Sequence, residues 1–273
     1  MRAIGFNLGL RGDLVMSTVA ARAFKEQHPN TSLTLGLGPE FADMAPLFAR
    51  HPYYDDIHVY NSYQGWPNEM DRDYLHRSRY DIVFNGFPPH REQDWWRYRH
   101  QNAEAAYMVG LPIPADISTV LTKWFSVRDD FKDAVALAAF AGFYNPGNDK
   151  RLDIETAQSI ADYILSQGFR VLQLGGADEP VLRGTICLPT NYFDSVRNML
   201  ACRALIHTDT GMGHVAGAYK QRALGLYSSA YYGDQYLPAI QPINPNAIYL
   251  SALRVNDIPL KSCIYPAIDQ LLS

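Results

Sequence analysis

An acidic residue, a threonine, two glycines and a histidine stand together in Asp209-Thr210-Gly211-Met212-Gly213-His214, directly after the apolar run Ala204-Leu205-Ile206. A run of this length fits one buried strand, and Asp209 and Thr210 are both good helix N-caps. The small residues from Val215 to Ala218 can then pack tightly as a helix. A strand, a glycine-containing turn and a capped helix aim backbone N–H groups and the positive helix end at one place. An anion is stabilised there, a phosphate above all. The glycines let the backbone approach the ligand, and His214, one turn into the helix, can donate to a phosphate oxygen. The same residues also fit a capped helix with a structural histidine, and local physics alone does not separate the two.

Such a turn needs a sheet behind it. Residues 3–7 read as a first strand, 14–27 as a helix with apolar residues at helical spacing, 33–37 as a second strand, 40–50 as a helix and 57–60 as a third strand. This βαβαβ order predicts a parallel sheet covered on both faces. A polar, aromatic stretch follows with at most one helix near 68–78, then a strand over 80–85. The aromatic and arginine-rich loop Gly86–Arg97 comes next, and a helix over 101–109 that stops at Gly110. A second unit alternates in the same way. Its strands are read at 134–140, 169–174 and 223–227 and its helices at 154–165, 193–202 and 255–272, the last broken by Pro266. The expected fold is α/β, with two Rossmann-like doubly wound domains over 1–125 and 126–273, and a ligand cleft at the C-terminal ends of the strands. Gly175-Gly176 closes the 169–174 strand and is expected beside the Asp209–His214 turn.

The totals narrow the function. The chain has 273 residues, 47% hydrophobic and 12% aromatic, ample for two real cores. A net charge of −4 does not favour a nucleic-acid partner. Cys187, Cys202 and Cys263 are far apart and odd in number, as expected of buried free thiols in a reducing compartment. With no signal-peptide pattern and no membrane-length apolar run, a cytoplasmic location is expected. His207 and His214 flank Asp209, but no third ligand stands near them in the sequence, and no metal site is expected.

The spread of these motifs resembles glycosyltransferase family 9, the ADP-heptose:lipopolysaccharide heptosyltransferases and their relatives. Gly12-Asp13-Leu14-Val15 is similar to the family's N-terminal Gly-Asp turn. His51-Pro52-Tyr53-Tyr54 resembles its Asn-Pro-tyrosine segment, and Asn145-Pro146-Gly147 with Lys150-Arg151 its diphosphate loop. Leu174-Gly175-Gly176 resembles its Gly-Gly turn, and Asp209-Thr210-Gly211-Met212-Gly213-His214-Val215-Ala216 its most specific signature. The departures are a shorter stretch between Asn85 and Gly110, Ser17-Thr18-Val19 where a proline is usual, and Leu152 where a tryptophan often stands.

The resemblance implies a GT-B fold and an inverting, metal-independent glycosyltransferase. Its donor would be a nucleoside diphosphate sugar such as ADP-heptose. Its acceptor would be a glycan or glycolipid, met at the inner membrane surface. No cofactor is implied. Asp13 is then the general base for the acceptor hydroxyl; its position equally fits the N-cap of the 14–27 helix. Gly12, Asn145, Gly147, Lys150, Gly175, Gly176 and Asp209 to His214 are the donor-binding set. Charge developing on the diphosphate would fall on the helix-terminus amides, His214 and Lys150. His90, Arg91 and Trp95 are acceptor candidates by stacking and charge, although a plain amphipathic helix with core tryptophans fits that segment as well. A GT-B nucleotide-sugar epimerase or hydrolase, or an inactive nucleotide-binding relative, is the alternative on the same fold.

Overall fold

The computed structural model describes residues 1–7, 11–60, 80–87, 99–127, 129–140, 150–230 and 233–273. The helix expected near 68–78 lies outside them. The chain divides into two compact units, Met1–Trp124 and Phe125–Ser273.

The first unit is built on four parallel strands, β1 (Arg2–Asn7), β2 (Ser32–Leu37), β3 (Asp56–Val59) and β4 (Ile82–Phe87), in the order β3-β2-β1-β4. The apolar runs of β1 and β2 are buried because a parallel sheet is covered on both faces. Ala3, Ile4, Leu33, Leu35 and Leu37 are all at most 1% exposed. The single helix expected over 14–27 is two: α1 (Arg11–Met16) and α2 (Thr18–Gln27). The break has a local cause. Ser17 Oγ donates to the Leu14 carbonyl (2.7 Å) and Thr18 Oγ1 to that of Val15 (2.8 Å), back-bonding that bends helices.

The helix expected over 40–50 is a 3₁₀ segment, Pro39–Met44, followed by one turn of α-helix, α3 (Ala45–Phe48). Pro39 and Pro46 each lack the N–H that a longer helix would need. Helix α4 (Gln101–Tyr107) packs on α2, and its chain turns away at Gly110, which has φ 73°. The segment after it is tied back to the unit by buried polar groups. Arg22 pairs with Asp116 (2.7 Å), and the His51 Nε2–H donates to the Val120 carbonyl (2.9 Å).

The second unit holds six parallel strands in the order β10-β9-β8-β5-β6-β7. In chain order these elements are β5 (Ala134–Ala138), α5 (Ile154–Ser166), β6 (Arg170–Gln173), β7 (Ile186–Cys187), α6 (Tyr192–Ala201), β8 (Ala204–His207), α7 (Gly211–Tyr219), β9 (Ala223–Ser228), α8 (Leu237–Ile240), β10 (Ala247–Ala252) and α9 (Tyr265–Leu272). The edge strands β7 and β10 are additional to those read from the sequence. Alternate residues of the central strands, Val135, Leu137, Ile206, Leu224 and Leu226, meet α5 and α9 in one buried cluster. Their neighbours, among them His207 and Tyr227, turn to the other face.

The last helix is shorter than the expected 255–272. A 3₁₀ turn at Val255–Asp257 and a π turn at Leu260–Ile264 precede α9. Pro266 sits in the first turn of α9, where a missing N–H is harmless, so it starts this helix rather than breaking one. Of the three cysteines, Cys202 is buried and Cys263 partly so, but Cys187, at the sheet edge, is exposed and not the buried thiol expected.

Candidate functional site

Both sheets reverse their strand order at one place, and ligands of open α/β sheets bind beyond the strand ends at such a switch point. In the second unit the reversal lies between β5 and β8. The chain leaving β5 leads to Lys150, and the chain leaving β8 enters Asp209-Thr210. These two loops meet in an ion pair, Lys150 Nζ to Asp209 Oδ2 at 2.5 Å, both groups being partly shielded from solvent. The Thr208 N–H donates to the carbonyl of Ala138 at the end of β5 (3.2 Å), which fixes the start of the turn. Lys150 is thus brought beside the Asp209–His214 turn. Asn145 and Gly147 lie outside the described residues.

The turn opens α7 differently from the two helices that precede it in the second unit. The Asp153 carboxylate accepts the Thr156 N–H at the start of α5 (2.6 Å), and the Asn191 side chain accepts the Asp194 N–H at the start of α6 (2.8 Å). At α7 the N-cap is Thr210, in extended conformation, and its side chain caps no N–H. The Oγ1 atoms of Thr208 and Thr210 are both withdrawn from solvent and have no hydrogen-bond partner among the described residues. Buried hydroxyls are rarely left so. Thr210, as the N-cap, stands where the first-turn amides and the helix dipole favour an anion. Gly211 begins the helix, the Gly213 N–H donates to the Thr210 carbonyl (3.1 Å), and Met212, Gly213 and His214 are buried in the first turn.

The two glycines one turn apart explain how the helix lies so close to its neighbours. A Cβ on Gly213 would stand 2.4 Å from Cε1 of His207, and one on Gly217 would stand 3.1 Å from Pro242. His207, weighed above only as a metal ligand, is a core residue with its imidazole beneath α7. Its Nδ1 lies 2.6 Å from the Thr208 carbonyl, and Tyr227 packs edge-on against it at 6.2 Å. Burial lowers its pKa from 6.5 to about 4, so the ring is neutral at pH 7. Among the described residues no group of three His, Cys, Asp or Glu side chains is placed to hold a metal ion.

Gly175 and Gly176 follow β6 and are exposed. Their strand end is not beside the Asp209–His214 turn as expected, because β5 lies between β6 and β8. A group not singled out from the sequence sits there. The Glu179 carboxylate folds over Gly175, and half-burial raises its pKa against the opposing effects of the Gly176 N–H and Arg151. A carboxylate three residues after a glycine pair was the available signal.

In the first unit the strand order reverses between β1 and β4. Gly12 and Asp13 follow β1; Gly12 is buried and Asp13 half-buried. Asp13 is not the N-cap considered above, because α1 already begins at Arg11, two residues earlier. It lies in the first turn, where a carboxylate is stabilised by the helix end. The entry to α1 is anchored by Arg11, whose guanidinium pairs with Asp43 (2.6 Å) and donates to the Glu40 carbonyl (3.2 Å). His90, Arg91 and Trp95, in the chain leaving β4, lie outside the described residues.

No protein-family model matches this sequence, and no curated protein matches it by sequence. Solved structures do match. Escherichia coli ADP-heptose LPS heptosyltransferase II superposes with a TM-score of 0.74 at 14% identity, over 100% of this chain and 98% of that one. A glycosyl transferase family 9 protein from Veillonella parvula gives 0.71 at 17% identity, over 99% and 97%. E. coli heptosyltransferase WaaC with ADP gives 0.67 at 15% identity, over 100% and 99%. The chain has the GT-B fold of these glycosyltransferases, as the motifs implied.

Proposed function

We propose that this chain is an inverting glycosyltransferase that takes a sugar from a nucleoside diphosphate donor, ADP-heptose in the first instance, and transfers it to a glycan or glycolipid acceptor. The observation that carries the reading is the β5–β8 switch point. There a helix end without a side-chain cap meets the buried Thr210 hydroxyl, unpartnered among the described residues, and a lysine paired with the preceding Asp209, which suits a diphosphate. The fold shared with ADP-heptose enzymes supports the choice of donor.

In this mechanism Asp13 removes the proton of the acceptor hydroxyl as its oxygen bonds to the anomeric carbon. The bond from that carbon to the diphosphate oxygen breaks on the opposite face, and its electron pair leaves with the diphosphate. The added charge is met by the first-turn amides of α7, the Thr210 hydroxyl, His214 and Lys150, with no metal or cofactor required. The Asp209 carboxylate holds the Lys150 ammonium at the site. Gly12, Asn145, Gly147, Gly175 and Gly176 complete the proposed donor set, with Gly175 and Gly176 farther from the turn beyond β5, and His90, Arg91 and Trp95 are the proposed acceptor residues. The enzyme would act in the cytoplasm, on a membrane-surface acceptor if that acceptor is a glycolipid. No helix among the described residues is long and apolar enough to cross a membrane.

The test is a thermal-shift panel of ADP, UDP, GDP and CDP, run in a buffer containing a chelator. A ligand at a hundred times its Kd adds about 2.7 kcal/mol of stability. One diphosphate, ADP first, is expected to raise the melting temperature, and Thr210→Val to remove the effect. No shift with any of the four would sink the donor assignment.

A further inference from the structure

We propose that His207, which lies outside the expected donor-binding set, is a positioning residue that aims the diphosphate-binding turn through the Thr208–Asp209 peptide and through Gly213. This rests on the donor reading above. His207 ends β8 and is 1% exposed. A carbonyl only accepts, so the ring nitrogen 2.6 Å from the Thr208 oxygen, Nδ1, carries the proton. In a trans peptide the C=O and the N–H point in opposite directions. Holding the Thr208 carbonyl therefore sets the direction of the Asp209 N–H, away from the ring. The other side of Thr208 is held as well, since its N–H donates to the Ala138 carbonyl at 3.2 Å.

The same ring carries the start of α7. A Cβ on residue 213 would fall 2.4 Å from Cε1 and 2.7 Å from Nδ1, so the imidazole fills the space that a side chain there would take. Tyr227 backs the ring from β9. An aliphatic side chain would fill this volume without the cost of burying ring nitrogens. What the imidazole adds is the bond to Thr208. The position of the binding amides is thereby coupled to one side chain that touches no ligand.

Affinity for ADP is measured by calorimetry on the whole 273-residue chain and on four variants, each checked by circular dichroism and melting. The variants are His207→Asn, His207→Leu, Gly213→Ala and the double substitution His207→Ser with Gly213→Ala. Asn places an amide donor near the Nδ1 position and is expected to keep the affinity within about threefold. Leu leaves the Thr208 carbonyl without its donor and is expected to weaken binding about tenfold. Gly213→Ala should melt several degrees lower, roughly the shift of 1–2 kcal/mol in a unit of this size. Adding His207→Ser should restore the melting temperature but leave the affinity about tenfold weak, as the lost hydrogen bond predicts. Folded Leu and double variants that bind ADP like the wild type overturn the positioning role and leave the donor reading standing. A wild-type chain that binds no nucleoside diphosphate overturns the donor reading, and this proposal with it.

Discussion

Asp13 and Lys150 are held in different ways. Lys150 is fixed by a direct ion pair with Asp209, and the helix that carries Asp13 is anchored by the bonds of Arg11 to Asp43 and Glu40. Asp13→Asn is expected to lower kcat for sugar transfer by about 10²–10⁴-fold, the usual contribution of a general base, with ADP affinity unchanged. Wild-type turnover in that variant would remove Asp13 from the chemistry and return the nucleotide-binding relative to favour. At this scale Asp13, Lys150 and the Asp209–His214 run all stood out in the sequence, because each is a distinctive local string. The Lys150–Asp209 pair did not. It exists only because β5 and β8 are neighbours, a fact of topology that no spacing along the chain records. The place of His207 was hidden for the same reason: the sequence shows only a second histidine seven residues on, while its spatial neighbour, Gly213, is visible only once α7 is folded onto the sheet.

Among the elements, α5, α6 and α7 divide by their caps. Asp153 and Asn191 spend their side chains on their own helices. Thr210 does not. Removing a working cap costs about 1 kcal/mol, so Asp153→Ala should lower the urea midpoint of the second unit. Thr210→Val should leave that midpoint nearly unchanged, having no cap bond to lose. Equal losses in the two variants, measured by urea unfolding without ligand, would mean that Thr210 is an ordinary cap. The central strands were legible because they are buried, and β3, though partly exposed, was read from its place in the βαβαβ order. β1, β2, β5 and β8 are covered on both faces and read as apolar runs, whereas β7 has two residues and the residues of β10, at the other edge, are only partly buried or exposed. The division of α1 from α2 was hidden because apolar spacing runs straight through Ser17, and only the hydroxyl bonds to Leu14 and Val15 reveal the break.

Among the described residues, each unit of the molecule contains a buried histidine that resists protonation. Burial lowers the pKa of His51 in the first unit and of His207 in the second, each from 6.5 to about 4. Between those values the unfolded chain binds the proton and the folded chain does not, so stability falls as the pH drops from about 6.5 toward 4. The loss is on the order of 3 kcal/mol per histidine at most, as a shift of this size implies. Urea midpoints should accordingly decline for both units between pH 7 and pH 4.5, and a midpoint that stays level across that window would refute the assignment. A different consequence follows from the strand order of the second unit. β5 is made first and is apolar throughout, yet the partner for one of its edges, β8, arrives only after residues 139–203 have been synthesised. Closing so long a loop is entropically slow, and parallel pairing offers no local shortcut. While the chain emerges from the ribosome, Val135, Ala136 and Leu137 must wait with one edge unpaired, open to adhesion between nascent chains. The switch point that assembles the Asp209–His214 turn is therefore also the seam where folding of this unit is most exposed to failure.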